Sequence, residues 1–194
     1  NGLDREVVGN IFPKVTGGFS STLSWKGISL YARFDYALGH TLYNDLAART
    51  LGQYQGAFNI ITEVKDMWSE DNPNSDLPAF YYADQLAKKN ITRSNNASAS
   101  RHNNSSRLYE KADYLALREL TLSWDLPKAW TSKAFIQNAS VYVTGQNLFY
   151  VTGYTGTSPE PVLTNSDNNE NLYGVDQGRY PTPRTVLFGL SVTF

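Results

Sequence analysis

Apolar residues recur at every second position over long stretches of this 194-residue chain. From Phe19 to Lys26 the odd positions read Phe19, Ser21, Leu23 and Trp25, against Ser20, Thr22, Ser24 and Lys26. Past Lys26-Gly27, one face gathers Ile28, Leu30, Ala32, Phe34, Tyr36 and Leu38, and the other Ser29, Tyr31, Arg33 and Asp35. Successive strand side chains point to opposite faces, so this period predicts strands with one greasy and one polar surface. The short Gly-containing connection predicts a tight hairpin between them. The last segment repeats the pattern, with Val186, Phe188, Leu190, Val192 and Phe194 against Thr185, Gly189, Ser191 and Thr193; Leu187 is the exception. A fourth stretch sets Val141, Val143, Phe149 and Val151 against Ser140, Thr144 and Gln146, with Asn147 out of pattern. A fifth sets Leu120, Leu122, Trp124 and Leu126 against Thr121, Ser123 and Asp125, but its phase flips to Leu115 and Leu117 upstream of Arg118. Such a slip predicts a β-bulge, or a strand that passes between environments.

Strands are therefore expected over 16–26, 27–38, 114–126, 139–151 and 184–194, close to the ~9–11 residues of a tilted membrane strand. Their connections are unequal: Lys26-Gly27 is minimal and 127–138 modest, whereas 39–113 and 152–183 are very long. Alternating short and long connections gather all long loops at one end of a sheet, as in outer-membrane barrels. A soluble antiparallel sandwich with one wet face uses the same alternation. Strand length favours the membrane, as do the aromatic residues at strand ends: Trp25, Tyr36, Trp124, Phe149, Tyr150 and Phe194. Interfacial girdles of barrels have that character.

Composition narrows the function. A net charge of −1 gives no electrostatic reason to expect a nucleic-acid partner. The absence of Cys excludes disulfides, thiolate zinc sites and a cysteine nucleophile. Mean hydropathy is −0.42 and no apolar run approaches a spanning helix; alternating barrel strands average to just such a value. Asn1-Gly2-Leu3-Asp4-Arg5 lacks the apolar core of a secretion signal, so the sequence is expected to follow a removed signal or to start within a longer protein.

Enzyme motifs are absent: there is no His-Glu-x-x-His, Gly-x-Ser-x-Gly, phosphate loop or dinucleotide fingerprint. No catalytic residue, cofactor or metal site is expected. His40 and His102 read as separate, solvated loop residues. Asp167-x-Asn169-x-Asn171 imitates the start of a calcium loop but has Leu172 where Gly is needed and Gly178 in place of the bidentate Glu. Asn90-Ile91-Thr92, Asn96-Ala97-Ser98 and Asn138-Ala139-Ser140 fit the glycosylation pattern by chance. Ala57, Ile60, Ile61, Val64 and Trp68 fall at helical spacing and predict a short helix packed on its own loop. Aromatic residues of the long segments are the candidate substrate contacts, through stacking on sugar rings or peptide: Trp68, Tyr81, Tyr82, Tyr154, Tyr173 and Tyr180.

Several stretches resemble the SusC/RagA family of TonB-dependent outer-membrane transporters of Bacteroidota. They are the run Val141 to Phe149, Thr152-Gly153-Tyr154-Thr155-Gly156 with Pro159-Glu160, Tyr180 to Thr185, and the terminal Phe188 to Phe194. Earlier, Ala112 to Trp124, Asn10 to Phe19 and the loop Trp68 to Asn74 match in the same order, with Ala116 where the family commonly has Arg. The resemblance implies an all-β fold: antiparallel transmembrane β-barrel strands with long extracellular loops, forming the C-terminal part of a 22-stranded transporter barrel. It further implies uptake of oligosaccharides, or else peptides, into a Gram-negative cell through its outer membrane. A SusD-like surface lipoprotein would capture the solute, and TonB-ExbB-ExbD would act through an N-terminal part outside this sequence. On such a wall Arg33 and Asp35 face the lumen, as an ion pair or a plug contact, and Phe194 resembles the barrel-assembly signal. A secreted carbohydrate-binding β-sandwich is the alternative, and an outer-membrane enzyme a third reading.

Overall fold

The computed structural model describes residues 6–53, 59, 61–77, 106–160 and 173–194. Its strands are β1 (Val15–Trp25), β2 (Ile28–Leu38), β3 (Thr41–Asn44), β4 (Tyr109–Lys111), β5 (Tyr114–Asp125), β6 (Asn138–Thr152), β7 (Val175–Asp176) and β8 (Thr185–Thr193). Short helices α1 (Asp45–Ala48) and α2 (Lys128–Thr131) lie between them. The chain divides into a sheet unit, 13–39, 113–153 and 181–194, and a loop unit made of the remainder up to residue 180.

The sheet unit is one antiparallel sheet in the order β1-β2-β5-β6-β8. Lys26 at φ 48° and Gly27 at φ 84° form its tightest turn. Two consecutive positive φ values match the right-handed twist of the flanking strands, which is why Gly stands there. Pairing carries the alternation across all five strands in register. One row reads Leu23, Leu30, Leu122, Val143, Phe188; the next reads Trp25, Ile28, Trp124, Val141, Leu190. The row between them reads Ser24, Ser29, Ser123, Tyr142, Gly189, and further along the strands Ser20, Arg33, Glu119, Gln146, Thr185 form another row of the polar side. Directly paired residues share a face, so the sheet has one continuous apolar side and one continuous polar side. The Leu187 exception belongs to a polar-side row, beside Thr144.

Glycines on either side are covered by a neighbour. Tyr36 lies over Gly17, Tyr142 over Gly189, and Leu148 reaches within 2.8 Å of where a Gly145 side chain would begin. Leu148 thereby restores the apolar row at a position the alternation leaves empty.

The phase flip in β5 is a bulge. Arg33 pairs with Glu119 and Phe34 with Leu117, which leaves Arg118 as an extra residue. The next ladder pairs Glu119 with Gln146 and Leu117 with Phe149, so Asn147 and Leu148 face that single residue. Asn147 takes up the excess at φ 52°. The insertions number none, one and two on successive strands, and both faces stay in phase above and below them.

Among the described residues no second layer covers the apolar side; only Trp130 of the β5–β6 connection packs there, edge-on against Trp124 at the rim. Phe188 is 84% exposed and Trp25 69%, and the only other described sheet, β4-β3-β7, has strands of two to four residues. A sandwich needs a second layer there. An 11-residue strand spans ~36 Å at ~3.3 Å per residue and projects ~25–29 Å when tilted ~35–45°, the height of a barrel's apolar band. Ends Trp25, Ile28 and Asp125 carry the short connections, and Leu38, Tyr114, Thr152 and Thr185 the long ones.

The loop unit holds β3 between antiparallel β4 and parallel β7, around Leu42, Ala112 and Tyr154. Asn44 caps α1 through Ala47 N–H. The helix expected through Trp68 does not form. Thr62–Asp66 is one 3₁₀ turn, Ile61 before it and Met67 after it are extended, and Ala57 and Ile60 lie outside the described residues. β-branched Ile61 and Thr62 disfavour a regular start, and the side chain buried there is Met67.

Candidate functional site

Two polar constellations stand out, one per unit. On the polar side of the sheet, the bulge places Arg118 beside Asp35, its Nε donating to a carboxylate oxygen at 2.9 Å. The same guanidinium donates through Nη1 to the Tyr150 hydroxyl at 2.9 Å and lies over that ring at 5.5 Å. Asp35 thus pairs with Arg118, where the sequence had set Arg33 beside it; Arg33 stands opposite Ser20 and Glu119. Hydroxyl pairs extend the wet surface, Thr121 with Thr144 and Ser24 with Ser29, both at 2.8 Å. The Asp35 side chain is 41% exposed, so water screens the pair. Asp35→Asn should therefore cost at most ~1 kcal/mol in denaturant unfolding of the full-length protein; a loss above ~3 kcal/mol would mean a buried pair.

In the loop unit two carboxylates hold four stretches of the chain together. Asp176 accepts from the Tyr154 hydroxyl at 2.9 Å, from Thr157 N–H at 2.9 Å and Oγ1 at 2.7 Å, and from Gly178 N–H at 3.0 Å. Glu110 accepts from the Asn44 amide at 2.9 Å and from Thr155 N–H at 2.9 Å and Oγ1 at 2.8 Å. Burial alone would raise the Asp176 carboxyl, but these donors outweigh it and hold it below the usual carboxylate range. Burial, then the charge of Asp176, pushes the Tyr154 hydroxyl far up, so it remains a donor.

A depressed native pKa stabilises the folded form above the ordinary Asp value, and that stabilisation is lost as pH falls through the lower native value. Hydrogen-exchange protection of Thr157 N–H should thus be flat near neutrality and drop below about pH 4. A decline already at pH 6 would contradict the assignment.

His40 is buried, and its Nε2 lies 2.9 Å from the Pro159 carbonyl. The expectation of a solvated histidine is corrected, because that bond ties it to the loop interior. Among the aromatic candidates, Tyr154 is 7% exposed and Tyr180 is 96% exposed. Tyr173 stacks on Phe12 at 4.9 Å, and Trp68 keeps an exposed ring beside the turn closed by Ser69 and Asn72. Tyr81, Tyr82, His102, Asn90, Asn96 and the 167–171 calcium-like run lie outside the described residues. No group of acidic and histidine side chains that could hold a metal ion occurs among the described residues.

No family model matches the chain. Whole-sequence similarity is extensive, however. TonB-dependent receptor P3 of Formosa agariphila is 31% identical over 98% of the chain, and TonB-dependent receptor P26 of the same species 30% over 98%. Among solved structures, the RagAB peptide importer in its closed-closed state superposes with TM-score 0.70 at 27% identity, covering 97% of the chain; its open-open state gives 0.66 at 28%. From end to end the chain is similar to TonB-dependent receptors. It spans 17% of the length of receptor P3 and 18% of that of receptor P26. Its five strands are transmembrane β-barrel wall of the kind those transporters have, which accounts for the bare apolar side. On this segment the polar side carries Arg118, Asp35 and Tyr150, and the loop-unit carboxylates brace the chain between strands.

Proposed function

We propose that this segment is the C-terminal portion of an outer-membrane barrel that imports a bulky nutrient by TonB-dependent transport. The carrying observation is the one-sided sheet, whose apolar side is bare while its polar side holds Arg33, Asp35, Arg118, Glu119 and rows of hydroxyls. Lipid tails cover the first side and a water-filled lumen wets the second. Edge strands β1 and β8 each offer unpaired amides, which hydrocarbon does not tolerate; further strands of a closed barrel, 22 in plugged transporters, satisfy them. Segments 39–113 and 152–183 then face outside the cell. There a SusD-like lipoprotein delivers the solute, and TonB-ExbB-ExbD supplies energy through an N-terminal plug.

Likeness to a peptide importer supports peptide as cargo, with oligosaccharide as the other class. Trp68 and Tyr180 keep free ring faces for either, whereas Tyr154 is assigned to bracing. The test is fractionation and uptake with the full-length gene. The protein should appear in the outer membrane as a heat-modifiable barrel, and its deletion should abolish uptake of labelled oligopeptides or oligosaccharides. A freely soluble monomer with Phe188 shielded from solvent would overturn the proposal.

A further inference from the structure

At the short-turn end the sheet carries a cluster that the wall itself does not require. The Lys26 ammonium lies 4.6 Å from the centre of the Trp25 ring. Two strands across, Trp130 of α2 packs edge-on against Trp124 at 5.9 Å and 84°. Trp124 belongs to the apolar side, so α2 places Trp130 on that side too, where it is 60% exposed. Lys133 follows three residues later, one helical turn on and so near the same face, and is exposed. Phe135 closes the connection at φ 58° while 92% exposed. A bulky residue in the left-handed region is strained, and here no burial in the protein compensates for it.

Charge complements the aromatic rings. The sequence has no Asp or Glu from residue 7 to 34, nor from 126 to 159. Asp125, the nearest acid, pairs opposite Ser140 on the polar side, and Lys128 opens on the recess lined by Asp125, Ser140 and Ser191. The apolar-side rim is left with Lys26 and Lys133 as its cations. Tryptophan rings at headgroup depth beside lysines suit an anionic lipid.

We propose that the rim formed by the Lys26-Gly27 turn and the β5–β6 connection binds the headgroup of an anionic phospholipid of the periplasmic leaflet. Lys26 and Lys133 flank its phosphate, and its acyl chains lie over Trp25, Ile28, Trp124 and Trp130. This rests on the reading of the sheet as outer-membrane wall.

The full-length protein in detergent would be titrated with short-chain phosphatidylglycerol or phosphatidylcholine, with bound lipid counted by native mass spectrometry. The wild type should prefer phosphatidylglycerol. Lys26→Gln with Lys133→Gln should weaken that binding roughly 25-fold, roughly fivefold for each lysine near an anionic surface, and leave phosphatidylcholine unchanged. Lys26→Arg with Lys133→Arg should restore it. Equal binding of the two lipids by the wild type, or undiminished phosphatidylglycerol binding by the glutamine variant, would overturn the proposal. A heat-modifiable barrel without lipid preference sinks the lipid site alone, whereas a protein that never enters the membrane sinks the wall reading with it.

Discussion

Leu120→Arg should block assembly of the full-length barrel, Leu190→Arg should impair it slightly, and Thr121→Arg should be tolerated. The ranking follows from register. Leu120 shares the middle apolar row with Ser21, Ala32, Gly145 and Val186, halfway along eleven-residue β1 and β2. A guanidinium there sits near the bilayer midplane, at a cost of ~2–4 kcal/mol. Leu190 lies in the row with Trp25 and Trp124 at the short-turn rim, where the same charge reaches headgroups and costs ~0–1 kcal/mol. Thr121 is on the polar side, bonded to Thr144, and an arginine in its place enters water. Refolding into lipid vesicles under a urea gradient measures all three. Equal losses at Leu120 and Thr121 would mean that hydrocarbon does not cover the side assigned to it.

Asp176→Ala should loosen the loop unit while the sheet is unaffected. The change strands a buried Tyr154 hydroxyl and both polar hydrogens of Thr157, and Gly178 loses the partner that fixes its turn. Hydrogen bonds to a charged group contribute ~1.5–3 kcal/mol each, and orphaned buried donors add their own penalty. Shared among coupled bonds, a local loss of ~3–4 kcal/mol is expected. Tyr154→Phe, which removes one donor cleanly, should cost only ~1 kcal/mol. Amide exchange at Thr157 and Gly178, alongside limited proteolysis, reads the effect. Unchanged protection in Asp176→Ala would show that the carboxylate does not fasten these segments.

Strands and faces were legible because each carries three or more apolar residues at the strand period, and register then only had to align patterns already present. The break at Arg118 was legible as a flip of phase, which offered a bulge or a change of environment, and the pairing shows the bulge. Its partner was not. Asp35 lies 83 residues away, and proximity in sequence pointed to Arg33 instead. Leu148 was missed because its role depends on the emptiness of Gly145 beside it. In the loop unit the period vanishes, and with it the means of locating an interior. Tyr154 read as a solute contact because aromatic residues in long loops suit that role, and no local signal ties it to an acid 22 positions on. Asp176, Glu110 and His40 became bracing groups only through contacts that span the chain.

The stepped excess at Arg118, Asn147 and Leu148 has a use in engineering. One added residue normally turns over every side chain beyond it, which is ruinous where oil wets one surface and water the other. At this level the ladder already absorbs spare residues without inverting either surface. A fluorophore-bearing cysteine or a short epitope spliced beside Asn147 would report from within the wall, whereas the same splice beside Leu122 would turn the strand inside out.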